Sequence, residues 1–163
     1  MELKLKKSKV FFIVGIGEWN KKIFLSESKN NKYIFINSKS ELVNKLKKYN
    51  PSIIFFIHWH WKISKSFLKS YQCIGFHMTK LPYGRGGSPL QNLILRNKKS
   101  TFLSVFKITD KMDSGPILLQ KKMSLNGNAE DIYRRVTINA LSIIKSKFII
   151  GKKLLFKNQK GKI

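Results

Sequence analysis

The stretch Ser52-Ile-Ile-Phe-Phe-Ile57 is an apolar run of β-branched and aromatic residues, and it begins directly after Asn50 and Pro51. Asn and Pro stop a helix, and a short apolar run behind them predicts a strand. Similar runs occur on both sides of it and predict three more strands, Lys9–Val14, Tyr33–Ile36 and Cys73–His77. The first of these has the composition of a strand that is buried on both faces.

Helical patterns separate these strands. The segment Glu18–Ser28 has mixed helical character, and Ser64–Ser70 reads as a short helix. A third helix, capped by Ser38 or Ser40, has one apolar face made of Leu42, Val43 and Leu46. Strands that alternate with short helices are typical of a parallel α/β sheet, which is the fold class that we predict.

The alternation breaks at Met78–Pro89, where glycine and proline predict a long loop. Beyond it the sequence predicts a helix at Leu90–Arg96, then strands at Thr101–Ile108 and Ile117–Lys122 joined by a turn at Asp110–Pro116. The longest predicted helix is Ala129–Ile150, capped by Asn126 or Asn128, with an inner face of Ile132, Val136, Ala140 and Ile143. We expect one domain over residues 1–163, with Lys152–Lys162 as a loosely held basic tail.

The composition is strongly basic: 33 Lys and Arg against 8 Asp and Glu give a net charge of +25 in 163 residues. The apolar fraction of 42 % excludes a disordered basic tail. A single Cys excludes a disulfide framework and a four-Cys zinc site. Because the basic residues are nearly all Lys, accompanied by much Asn and Ile, a coding bias explains part of the charge, which weakens it as a sign of nucleic-acid binding.

The beginning of the chain superficially resembles a secretory signal, since several Lys residues precede the apolar run Val10–Ile16. No small-residue cleavage site follows, and Glu18 and Trp19 come next. No apolar run approaches the roughly 18 residues that a membrane span needs. We therefore expect a buried first strand in a cytoplasmic protein without a membrane span.

Two turns after predicted strands could bind a ligand. Gly15 and Gly17 follow the first strand, but both the dinucleotide fingerprint and the phosphate loop need a further glycine where Asn20 stands, so a plain tight turn is favoured. His58-Trp-His-Trp61 follows the third strand, at the sheet edge where α/β proteins bind ligands. These rings could form a wall for a flat heteroaromatic group, or could pack into the core. A His-x-His metal site lacks a third ligand.

A histidine and an aspartate suggest acid–base chemistry. His77 ends the fourth strand, and Asp113 lies in the turn Asp110–Pro116. Asp, Ser, Gly and Pro are also what an ordinary turn contains. Taken together, an imidazole and a carboxylate on loops at the same sheet edge are a general acid–base pair in outline.

At this point two motifs are recognisable. The stretches Cys73–Gln91 and Thr109–Gln120 resemble the folate-dependent formyltransferases, and the likeness runs from the first strand to the last helix. The resemblance implies a single Rossmann-like formyltransferase domain, a mainly parallel twisted sheet flanked by helices. The sequence of the loop has Phe-His-Met-Thr before Leu-Pro and Gly-Arg-Gly-Gly-Ser-Pro-Leu-Gln after it. It most resembles the corresponding loop of short bacterial sugar N-formyltransferases.

The resemblance also implies an activity, the transfer of a formyl group from 10-formyltetrahydrofolate to a primary amine, here of a nucleotide-linked amino sugar. It makes His77 and Asp113 catalytic and implies no metal. The residues that would flank the folate are Trp59, His60, Trp61, Ile63, Leu81, Gly86 and Asp110. Those that would flank the acceptor are Met78, Tyr83, Arg85 and Gly87. The sequence leaves open whether the protein forms a homodimer.

One position departs from the family pattern: the third catalytic residue of the family, an Asn two positions before the His, falls on Gly75. Losing one such oxyanion donor costs about 100- to 1000-fold in rate. The alternatives are therefore a catalytically impaired relative, or a methionyl-tRNA formyltransferase-like or RNA-binding protein that uses the basic charge. The methionyl-tRNA enzymes carry a further C-terminal domain, which made that acceptor less expected here.

Overall fold

The computed structural model describes residues 10–27, 33–149 and 154–161. Within them, six strands form one sheet: β1 (Phe11–Gly15), β2 (Tyr33–Ile36), β3 (Ile53–Ile57), β4 (Cys73–His77), β5 (Ser100–Lys107) and β6 (Ile117–Ser124). The strands lie side by side in the order β2-β1-β3-β4-β5-β6. The first four are parallel, whereas β5 and β6 are antiparallel to their neighbours. The prediction of a mainly parallel sheet is confirmed.

Helices cover both faces of the sheet: α1 (Glu18–Glu27), α2 (Lys39–Leu46), α3 (Lys65–Ser70), α4 (Pro89–Leu95) and α5 (Ala129–Ile143). Apolar side chains of α1, α4 and α5, such as Phe24, Leu90 and Val136, pack with the larger core cluster. Those of α2 and α3, such as Leu42 and Phe67, pack on the opposite face. In the described part of the chain, no helix is long and apolar enough to span a membrane.

The ends of the elements refine the predictions. Ser38, not Ser40, caps α2 and accepts a hydrogen bond from the Glu41 amide, and Asn128, not Asn126, caps α5. The predicted last helix ends early at Ile143 and continues as a π-helical segment, Ile144–Ile149. The predicted inner face of α5 is buried throughout. Three residues at the boundaries of predicted elements lie outside the described residues: Lys9, the first residue of a strand, and Ser28 and Ile150, the last residues of two helices.

The end of the chain differs from the expectation of a loose tail. Leu154 and Phe156 are each only 5 % exposed, and Lys157 exchanges two backbone hydrogen bonds with Ile117 of β6. Two apolar side chains, two residues apart, thus anchor this segment in the core, and its backbone pairs with the edge of the sheet. The expectation is wrong for residues 154–161, and the rest of the predicted tail lies outside the described residues.

A buried polar network joins the end of β3 to α1 and α5. Asn20, at the position where a dinucleotide motif needs glycine, is 1 % exposed; it donates to the Ile16 carbonyl oxygen and accepts from the Thr137 hydroxyl. Nε2 of His58 lies 3.2 Å from both the Tyr133 carbonyl oxygen and the Thr137 hydroxyl. Because a carbonyl oxygen only accepts, Nε2 carries the proton. Burial lowers the pKa of His58 from 6.5 to about 4, against a smaller opposing effect of the Tyr133 hydrogen bond.

We predict that the protein loses stability between pH 6.5 and pH 4, because His58 takes up a proton in the unfolded chain before it does so in the folded one. A lowered pKa of this size changes the free energy of unfolding by about 3 kcal/mol across that range. Urea unfolding from pH 4 to pH 7 measures it. His58→Asn is the matched control, since Asn tolerates the left-handed backbone of this residue (φ 55°) and does not titrate there.

Carboxylates titrate alike in both proteins, so the difference between their two stability curves isolates the histidine. Curves that stay parallel from pH 7 to pH 4 would show that His58 does not cause the loss.

Candidate active site

A cleft of about 710 Å³ opens beside the carboxyl ends of β3 and β4. Three segments form most of its walls: residues 58–63 after β3, residues 86–89 before and at the start of α4, and residues 108–113 after β5. Tyr133 of α5 and Trp19 of α1 close one end. The cleft therefore lies where the sheet topology of an α/β protein places ligands.

His77 is held in the wall of the cleft with its side chain only 9 % exposed. Its Nε2 lies 2.7 Å from the Gly84 carbonyl oxygen and so carries a proton. Its Nδ1 faces Oδ2 of Asp113 at 3.7 Å. This gap is longer than a hydrogen bond, but a single atom between the two groups can lie about 2.8 Å from each. The pair can therefore act on the same reacting atom.

Asp113 is held in one orientation by the loop before α4. Its Oδ2 accepts a hydrogen bond of 2.9 Å from the Gly86 amide, and its backbone is left-handed with a φ of 47°. Asp tolerates this conformation better than most residues do. The carboxylate is 20 % exposed, and so it remains accessible from the cleft.

The sequence predicts that His77 and Asp113 lie on loops at the same edge of the sheet, and the chain reaches Asp113 there by an indirect path. Because β5 runs antiparallel to β4, its last residue, Lys107, pairs with Ile74 and not with His77. The loop after β5 then folds back toward His77. Gly115 permits this path, since a β-carbon there would lie 1.7 Å from the Lys107 carbonyl oxygen.

Gly75 lies between two aromatic residues in the floor of the cleft. It is two residues before His77, so both are on the same face of β4. Phe56 of β3 and Phe106 of β5 are its partners on the neighbouring strands. A β-carbon on Gly75 would lie 2.7 Å from Cε1 of Phe106. The Phe106 ring therefore fills the space that an Asn side chain at this position would need.

Aromatic rings line the wall after β3. Trp59 packs edge-on against Phe56 at 5.4 Å and against Trp61 at 4.6 Å between ring centroids. The buried indole N–H groups of Trp59 and Trp19 have no hydrogen-bond partner among the described residues. Both residues line the cleft. An unpaired N–H beside a flat aromatic wall fits a planar ligand that carries acceptor atoms.

Most of the predicted site residues meet in this cleft. Its lining includes His77, Asp113, Trp59, His60, Trp61, Ile63, Gly86, Asp110, Met78 and Gly87. Asp110 also pairs with Lys65 at 3.5 Å, and the His60 ring lies 4.2 Å from that of Trp61.

Three predicted residues are placed elsewhere. Leu81 is 2 % exposed and belongs to the core, where its amide donates to the Ser104 hydroxyl. The hydroxyl of Tyr83 accepts from Arg96. Arg85, predicted for the acceptor, donates twice to the side chain of Gln159. Each is thus engaged by a neighbour outside the residues that line the cleft.

Two groups of residues escaped the sequence analysis. Trp19 and Tyr133 stack at 5.8 Å and form one end of the cleft, although their elements are far apart in the chain. Gln159 contacts the turn of Asp113, and nothing in the sequence marks it. Among the described residues, no three His, Cys, Asp or Glu side chains are placed to hold a metal ion. His58 is turned toward α5, which separates the two members of the His-x-His pair.

The sequence and the fold are similar to those of known proteins. Residues 10–145 match the formyl transferase family. A methionyl-tRNA formyltransferase from Thermodesulfovibrio yellowstonii is 32 % identical over 106 residues, which are 63 % of this chain and 34 % of that protein. The chain thus spans about a third of the length of the curated relatives it matches.

Several solved structures share the fold. The methionyl-tRNA formyltransferase from Clostridium thermocellum superposes with a TM-score of 0.79 at 33 % identity, over 94 % of this chain and 69 % of that one. HypX from Aquifex aeolicus, solved in complex with tetrahydrofolic acid, has a TM-score of 0.65 at 16 % identity, over 93 % and 28 %. Since the family match covers most of the sequence, this chain belongs to the formyl transferase family.

Proposed function

We propose that this chain is a folate-dependent formyltransferase domain that moves a formyl group from 10-formyltetrahydrofolate to a primary amine. The observation that carries the proposal is the pairing of His77 with Asp113, 3.7 Å apart inside a cleft with an aromatic wall. The family match supports the same reaction class. A buried imidazole and a fixed carboxylate beside one reacting centre are the groups that such a transfer needs.

The cleft fits the donor by its chemistry. A pterin is flat and carries ring nitrogens and a carbonyl group, which suit the rings of Trp59 and Trp61 and the unpaired Trp59 N–H. HypX, which shares the fold, is solved with tetrahydrofolic acid. When bound, the donor supplies the formyl carbon that the amine attacks. The wall after β3 would hold its ring so that this carbon lies near His77.

The chain's own residues would handle the protons. Oδ2 of Asp113 accepts the proton that the amine gives up, while the Gly86 N–H keeps the carboxylate in place. Asp113 would return this proton to the folate nitrogen as the bond between that nitrogen and the formyl carbon breaks, so that the folate leaves as a neutral amine. In the protonated ring of His77, Nε2–H stays on the Gly84 carbonyl oxygen. Its Nδ1–H then points toward Asp113 and can stabilise the negative charge that develops on the reacting carbonyl oxygen. Gly75 adds no side-chain donor to this charge.

Two classes of primary amine are candidates to accept the formyl group. About one-third identity to methionyl-tRNA formyltransferases favours an aminoacyl-tRNA, and a net charge of +25 suits so large a polyanion. The nucleotide-linked amino sugar, based on the sequence of residues 76–91, stays a prediction. Formyl transfer measured with methionyl-tRNA and with a set of nucleotide-linked amino sugars decides between them.

A catalytically impaired relative is the second candidate, and the contact between Gly75 and Phe106 favours it. The glycine removes an oxyanion donor, and the ring closes the space that a replacement would use. Saturable folate binding without transfer to either class of amine would support this candidate.

Trp59→Phe should weaken the binding of 5-formyltetrahydrofolate about fivefold to tenfold. The variant keeps an aromatic wall and loses only the indole N–H, whose hydrogen bond contributes about 1 kcal/mol. Isothermal titration calorimetry measures it, with Tyr49→Phe as a control outside the cleft. Equal affinity of the Trp59 variant and the parent would remove this residue from the donor site.

Asp113→Asn should lower kcat by about 100- to 10,000-fold, because the amide cannot accept the proton of the amine. Asn keeps the shape of the side chain and tolerates the left-handed backbone, so thermal unfolding should change little. Glu130→Gln is the control, as an exposed carboxylate of α5 that pairs with Arg134 and does not line the cleft. Parent-like turnover in the Asp113 variant would refute its role as base.

Gly75→Asn alone should destabilise the protein by about 1–3 kcal/mol, because its β-carbon would collide with the Phe106 ring. Adding Phe106→Val should recover much of this loss by making room, and should raise kcat above that of the parent if the amide reaches the reacting oxygen. Chemical denaturation and formyl transfer are measured on the single and double variants. If Gly75→Asn alone were as stable as the parent, the contact would not restrict this position.

A further inference from the structure

Gln159 lies on the segment 154–161, which is fastened to the domain at three points. Leu154 and Phe156 are buried, and Lys157 pairs with Ile117 through hydrogen bonds of 2.7 and 2.8 Å. Two residues later, Gln159 reaches the loop between β5 and β6. Its backbone is thus held firmly before its side chain extends toward the cleft region.

The side-chain amide of Gln159 is hydrogen-bonded on both sides. Its Nε2 donates to the carbonyl oxygens of Asp113 and Gly115, each at 2.8 Å. Its Oε1 accepts from Nε and Nη2 of Arg85, at 3.1 and 2.6 Å. Arginine only donates and a carbonyl oxygen only accepts, so the orientation of the amide is fixed. Both N–H groups and both lone pairs of the oxygen are used.

These contacts connect the two loops that hold the acid–base pair. Arg85 lies between Gly84, which binds His77, and Gly86, which binds Asp113. Gln159 binds Arg85 on one side and the backbone of Asp113 on the other. A single amide thus fixes the distance between the loop after β4 and the loop after β5.

We propose that Gln159 is a positioning residue that holds Asp113 against His77, an inference that rests on the proposed function. The hydrogen bonds within the loop, from 2.9 to 3.4 Å, join Thr109, Lys111 and Ser114, and none of them holds Asp113. Its position therefore depends on outside contacts, which are Gly86 on the side of the cleft and Gln159 on the other. Displacing a reacting group by about 1 Å lowers a rate roughly 100-fold.

The chemistry of the amide suggests a sharp test. Gln159→Glu keeps the length and the acceptor for Arg85, but it sets a carboxylate against two carbonyl oxygens that need donors. Gln159→Ala removes both contacts. Asn158→Ala changes the exposed neighbouring side chain and serves as the control. A side chain that only filled space would be replaced by Glu without loss.

Two readouts are measured on each variant. The first is formyl transfer, for which we expect kcat to fall about 10- to 100-fold in both Gln159 variants, with KM for the donor within about twofold of the parent. The second is hydrogen exchange of the Gly86 amide, which reports its bond to Asp113 without any need for activity. We expect this exchange to be about five- to tenfold faster in both variants and unchanged in Asn158→Ala.

The two readouts separate the two proposals. If the parent protein transfers formyl to no amine, the proposed function fails, and the Gly86 exchange alone decides the role of Gln159. Parent-like exchange in Gln159→Glu would overturn the inference, and so would an unchanged kcat in an active enzyme. Should Gln159→Ala fail to fold, Gln159→Glu still decides, because it keeps the size of the side chain and the pairing with Arg85.

Discussion

The approach of Gly115 to the Lys107 carbonyl oxygen is the contact on which the candidate site depends, because a β-carbon would lie only 1.7 Å from that oxygen. It lets the chain double back after β5, which otherwise leads away from His77. Only by this return does Asp113 reach the imidazole, the Gly86 amide and Gln159. The antiparallel pair at the edge of the sheet thus contributes to a site that the parallel strands alone could not form.

The parallel part of the fold could be predicted because burial on both faces of a strand requires a recognisable pattern in the sequence. Runs such as Ser52–Ile57 must be apolar without interruption when helices cover both sides of a sheet. The packed end of the chain could not be predicted in this way, since it buries only two apolar residues, Leu154 and Phe156, and continues with the polar run Lys157–Lys160. The change to a π-helix after Ile143 could not be predicted from the sequence either, because Ile144 and Phe148 continue the buried face of the helix.

Ten of the residues predicted for a site line one cleft, whereas the path of the chain around it could not be predicted. His77 and Asp113 stand in motifs whose order is informative, and the structure brings them together. Loop residues were harder, because sequence proximity does not say which way a side chain turns: Leu81 enters the core and Arg85 turns to Gln159. Gln159 could not be found from the sequence, since its importance lies in contacts across 46 residues of chain.

Gly75 and Phe106 also constrain how this protein can change over generations. A larger side chain at position 75 destabilises the protein as long as the Phe106 ring occupies that space, and a smaller residue at position 106 removes the collision. The two positions are therefore coupled: an amide at position 75 costs least stability in a chain whose residue 106 is already smaller than Phe.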